Sequence, residues 1–214
     1  LTNTVAGSSS DVLTLISGSG TTIVTGAVGG NIATLILQAN NSGATGTVTF
    51  NGNVTLTSTI TTFAQAYSVV LNEDAAITAD VNFLNTNGVT LGNASDDNLT
   101  FNGGLGSSGG ATTVAGTITT SADNIDIAAL TITDTTTITT GATSAGNIAL
   151  TSTVAGTSSD NLTLVSGSGT TTVSAAVGGN IATLTLQADN NAATGTVTFN
   201  GNVTATTLTT FARA

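Results

Sequence analysis

Hydrophobic and polar residues alternate along this chain with a period of two. From Thr47 to Ile60 the even positions are Val48, Phe50, Gly52, Val54, Leu56, Ser58 and Ile60, and the odd ones are all Thr or Asn. That pattern predicts strand with an apolar inner face and a hydroxyl or amide outer face. Thr and Val favour it because their branched side chains fit a pleated surface. The parity flips between Ile125-Ile127 and Leu130-Ile132, as expected where a strand turns a corner. Gly-Gly-Asn at 29–31 and 178–180, and Asn-Gly at 51–52, 87–88, 102–103 and 200–201, supply residues that tolerate positive φ in turns.

Superimposed on the alternation is a long repeat. Residues 4–66 reappear as 153–214, a period of 149, with about four fifths of the aligned positions identical. TVAGSSSDVLTLISGSG becomes TVAGTSSDNLTLVSGSG, and one residue drops out near Ser58. The middle stretch, 67–152, is a divergent filler with a weak internal echo: SDDNLTFNGGLG around Asp97 resembles the segments around Asp11 and Asp160. Hydrophobic runs recur at steps of 19–20 residues, as from Leu35 to Val54 and from Leu99 to Ile118 to Ile138. A β-solenoid accounts for this best, because each turn stacks on the last and buries a narrow aliphatic core. The expectation is one continuous solenoid over 1–214, of about ten turns and near 50 Å long. An Ig-like sandwich or a membrane barrel fits less well, since both lean on aromatic anchors and the chain has seven aromatic residues in all.

Composition removes most chemistry. The 214 residues include no His, Cys, Lys, Met, Pro or Trp, one Arg (Arg213) and eleven acids, for a formal charge of -10. No imidazole or thiolate is available for acid–base work, nucleophilic attack or the common metal sites. A single Arg excludes a basic nucleic-acid footprint and a polybasic membrane patch. No apolar run reaches the roughly 18 residues of a spanning helix.

GNIATLILQ, GTVTFNGNVTLTST, ADNIDIAALTIT and GNIALTS resemble the repeat regions of large secreted bacterial surface proteins, of the filamentous-haemagglutinin-like and autotransporter-passenger kinds. The resemblance lies in composition and strand pattern across nearly the whole chain. It implies a right-handed parallel β-helix displayed outside the cell, at the cell surface, as an adhesive or structural stalk. It carries over no catalytic, cofactor-binding or metal-ligating residue. The function expected is a non-enzymatic fibre segment that associates with itself head to tail, with host, neighbouring-cell or matrix glycans as further partners and no nucleic acid or embedding membrane. Ligand binding (glycan, calcium or ice) and polysaccharide cleavage stand as alternatives.

Each local candidate has a plainer reading. Gly104-Leu105-Gly106-Ser107-Ser108-Gly109 matches a dinucleotide fingerprint, but strand rather than helix follows, which favours a loop between turns. Asp11, Asp97 and Asp160 precede Leu-Thr-Leu/Phe strands; calcium would need several such oxygens together, and a turn cap that accepts backbone N–H bonds is simpler. Asp123 with Asp126, Asp96 with Asp97, and Glu73-Asp74 with Asp80 are the carboxylate groupings that could serve glycoside hydrolysis. Asp123 and Asp126 point to opposite faces of a strand unless a corner separates them. Thr-x-Thr strings at 47–49, 55–57, 131–133, 137–139 and 196–198 would bind ice only if one pair stood in rank per turn, and their spacing argues against rank. Sequons at Asn40, Asn53, Asn93, Asn98, Asn161 and Asn202 are as many as this composition yields by chance.

Overall fold

The computed structural model describes residues 1–39, 43–143, 145–188 and 193–211. The sequon Asn40 and Arg213 lie outside the described residues. The chain is an all-β solenoid of parallel strands in about nine turns, and each turn visits three faces in the same order. The first face begins with Val5–Ala6, Val28–Gly29 and Val54–Leu56. Nine strands from Asp11–Leu15 to Val197–Phe199 stack on the second face. The third begins with Thr22–Val24, Thr47–Phe50 and Ser68–Leu71. Two long strands, Thr112–Thr119 and Leu130–Thr139, bend from the third face onto the first and so merge those two faces into one sheet.

The predicted alternation is present, but the stretch from Thr47 to Ile60 is cut into three strands. Thr47–Phe50, Val54–Leu56 and Ile60–Thr61 lie on three different faces. Each corner has three residues, so Val48, Phe50, Val54, Leu56 and Ile60 all still point inward and are buried. At Ile125–Ile127 the corner has only two residues before Leu130, which produces the parity flip. Inward residues stack in columns. Val28, Val54, Ala75, Leu99, Ile118, Ile138, Leu164 and Leu186 are successive register partners along the first face, all buried. Mid-rod, Phe83 and Phe101 meet edge to face at 6.5 Å.

Three expectations need correction. The Leu35 step leads to Ile60, not to Val54, whereas Leu99, Ile118 and Ile138 do stack as expected. Turns vary from 18 residues (Thr112 to Leu130) to 26 (Val28 to Val54), because corner length is free while strand length is not. The rod therefore has fewer turns than ten, and nine stacked strands span about 40 Å. Of the Asn-Gly pairs only Gly88 takes positive φ, at 92°, beside the expected Gly30-Asn31 and Gly179-Asn180. At Gly103 the need is space: a Cβ there would collide with the backbone of Ala79 and Asp80 one turn below.

The two repeat copies do not lie on the same faces. Val5–Ala6 is on the first face, but its counterpart Val154–Gly156 pairs with 130–132 on the third. Asp11–Leu15 is on the second, and its counterpart Asp160–Val165 is on the first. Counting the two bent strands as two positions each, twenty strand positions separate the copies, and three make a turn. The 149-residue period is thus six and two-thirds turns, and copy two is rotated by one face.

Candidate functional site

Asp11, Asp97 and Asp160 close turns, as the plainer reading had it. Ser8 N–H donates to Asp11 Oδ2 at 2.6 Å, and Ser9 N–H at 3.4 Å. Asp160 Oδ2 accepts from Thr157 N (2.7 Å) and Ser158 N (3.0 Å), and Asp97 Oδ2 from Asn93 N (2.7 Å) and Ala94 N (2.9 Å). The N–H groups of Ser8 and Ser9 hold the Asp11 carboxyl below its ordinary pKa, since they bond the charged form. One oxygen of each carboxylate is committed to its own turn. Among the described residues, no three acidic side chains converge as a metal site.

A second repeated device was not found from the sequence. Gln38 and Gln187 end their strands in the left-handed region, at φ 59° and 56°, with both side chains buried. Gln38 Oε1 accepts from Ser17 N (3.0 Å) and Gly18 N (3.1 Å) in the preceding turn, and its Nε2 donates to Ser17 Oγ. Gln187 repeats this on Ser166 and Gly167. Each amide clamps a Ser-Gly-Ser-Gly loop. The signal was present, as Leu-Gln follows the same strand in both copies, but its partner lies some 20 residues back.

Of the carboxylate groupings, the structure brings together Asp123 and Asp126 and adds Asp80. All three line one open cleft of about 290 Å³ on the second face, floored by Gly103, Gly104 and Gly106. A corner between Asp123 and the strand Ile125–Ile127 puts both on one side. Asn82, Gly106 and Asp126 are successive register partners across the cleft. The Gly104–Gly109 motif is corrected here. Leu105–Ser107 is a strand of the second face rather than a loop, and Gly106 faces outward because a Cβ would press on Asn82 Oδ1. Glu73, Asp74 and Asp96 are not in the cleft; Asp74 Oδ1 accepts from Asn98 N at 2.8 Å. The sequon residues Asn53, Asn93, Asn98, Asn161 and Asn202 are exposed.

The upper half of the first face, from Thr117 onward, is different in kind. Thr117, Thr137, Thr163, Thr185 and Thr209 are register partners on five successive turns. Beside them run Thr100, Thr119 and Thr139 on one flank, and Asn161, Thr183 and Thr207 on the other. The expectation that Thr pairs lack rank therefore fails on this face. It holds for 47–49, where Thr49 stacks on Ile23 and under Val70. Rank was hidden because the turns differ in length.

The ends of the rod are open. Val5, Leu13 and Leu15 at one end, and Val197, Phe199 and Ala205 at the other, are only partly buried against the core. Asp11–Leu15, Val197–Phe199 and Thr207–Thr209 each pair on one side alone. No protein-family model, curated protein or solved structure matches the chain.

Proposed function

We propose that this chain is a non-enzymatic, extracellular rod segment, a stalk or fibre element that lengthens by stacking end on end. One observation carries the reading: a continuous parallel ladder of nine turns, with one-sided strands and half-covered Leu, Val and Phe at both ends. Interior turns satisfy their backbone hydrogen bonds above and below, so length is added without enlarging the core. An open end offers the same bonds and the same apolar cover to another rod. The right-handed sense and the surface location come from the resemblance to secreted repeat proteins. The dense Thr and Asn surface offers many weak hydrogen bonds to cell-surface or matrix sugars.

Sedimentation and negative-stain imaging over a wide concentration range test it. Rods in multiples of about 40 Å, lost on Leu208→Lys, are the expected result. A strictly monomeric species at the highest concentration would overturn end-on assembly. The acidic cleft supports a second reading, glycan binding or cleavage. Reducing-end release from polysaccharides that disappears in Asp126→Asn would favour it over the stalk.

A further inference from the structure

We infer that the upper half of the first face is an ice-binding surface. The inference rests on that face alone and not on the stalk reading. Its outward residues repeat in two dimensions, about 4.8 Å from turn to turn and about 6.6 Å between alternate residues of a strand. The central rank is five Thr deep, and its register runs without a shift from Thr117 to Thr209. The two shifts near it fall before the ranks begin, between Val114 and Gly116 and between Asp160 and Asn161.

Three further observations select the partner. Thr117, Thr137, Thr163, Thr185 and Thr209 and their flanks include no charged residue. Asp134 sits at the bend of Leu130–Thr139 before the rank begins, where its Oδ1 accepts from Thr135 N, Asp160 is nearly buried, and the acids of the cleft sit on the second face. Charged groups hold their own hydration, so a bare hydroxyl face suits a neutral lattice. Aromatic rings are absent from the rank as well: Phe50, Tyr67, Phe83 and Phe101 are buried, and the exposed Phe211 lies past Thr209 at the end of the rod, so a sugar ring finds nothing flat to stack on along the ranked hydroxyls. Finally, the inward hydroxyls are bonded within the protein, as Thr112 to Ser107 and Thr171 to Ser166. Among the described residues, by contrast, Thr117, Thr137, Thr163, Thr183 and Thr185 make no side-chain hydrogen bond inside the chain.

The two copies sharpen this. Val12 and Ile36 face outward on the second face, and their counterparts on the ranked face are Asn161 and Thr185. A partner that is neutral and periodic in both directions, and that needs neither stacking nor apolar anchors, is a plane of ice. Rigid hydroxyl–methyl pairs each hold a lattice water weakly, and rank makes the contacts act together.

Ice recrystallisation inhibition and partition of the protein into slowly growing ice read the proposal on the full chain. Wild type is expected to enter ice well above a size-matched control protein. Thr137→Lys with Thr163→Lys should weaken this at least about tenfold, as expected when a multivalent array loses its centre. Thr90→Lys with Thr131→Lys on the third face should leave it unchanged. Thr137→Ser with Thr163→Ser, which keeps the hydroxyl and removes the methyl, guards against misfolding and should also lose activity. Exclusion of wild type from ice, retention of activity in the first-face variants, or binding to crystalline cellulose or chitin without ice activity would each overturn the inference.

Discussion

The two repeat copies set nearly the same residues in different places, and their contrast separates local physics from position. Phe50 is fully buried between Val24 below and Leu71 above, whereas its counterpart Phe199 lies on the last turn of the second face and is only half covered. Leu13 and Leu15 open the rod and are half covered; Leu162 and Leu164, stacked on 136–139, are almost fully buried. The devices that need only their own turn, or the one before it, do not change. Asp11 and Asp160 cap the same loop, and Gln38 and Gln187 clamp the same loop. A turn in this fold is thus locally specified in shape and draws its cover from its neighbours.

The largest test of that contrast is Phe50→Ala against Phe199→Ala. The first should cost about 3–5 kcal/mol in denaturant unfolding, and the second less than half as much, because a half-exposed ring leaves a smaller cavity. Equal losses at high protein concentration would mean that another rod covers the end. Next, Gln38→Ala and Gln187→Ala should each cost about 1–3 kcal/mol, since each strips two backbone N–H groups of their acceptor. Their near equality is the point, and a large difference would break the claim that the clamp is local.

Asp160→Ala is expected to cost about 0.5–1.5 kcal/mol, because it removes the acceptor of the Thr157 and Ser158 N–H groups, whose residues are exposed so that water replaces part of the bond. Asp11 has a depressed folded-state pKa, so its contribution is present above the ordinary carboxylate range and fades as pH falls through the lowered value. Hydrogen exchange should show the loop at Ser8–Asp11 opening first on acidification. The smallest effect is at Tyr67, whose phenol is raised above its ordinary pKa by burial and whose hydroxyl donates to Leu37 O at 3.3 Å. The neutral form is favoured, so its contribution is intact below about pH 10 and is lost as pH rises through the folded-state value. As the chain's only Tyr, with no Trp, it should report this cleanly by tyrosinate absorbance.

Features set by near neighbours in the chain were legible in the sequence. The alternation at Thr47–Ile60, the corner between Ile127 and Leu130, and the Asp caps follow from parity and from carboxylate reach over two to four residues. Features that depend on register between turns were not legible. Thr137 stands over Thr117 and under Thr163, at steps of 20 and 26 residues, and no fixed spacing reveals that. Asp80 joins Asp123 and Asp126 for the same reason, across two turns of different length. The clamp of Gln38 on Ser17 and Gly18 is also a contact between turns.

A period of six and two-thirds turns makes any series of such units a threefold screw. Successive units would advance about 32 Å and show their Ser-Gly-Ser-Gly loops on successive sides. Only after twenty turns, about 96 Å, would the same loop look out in the same direction. A filament so built has no privileged flank, and whatever grips one unit finds the next a third of the way round.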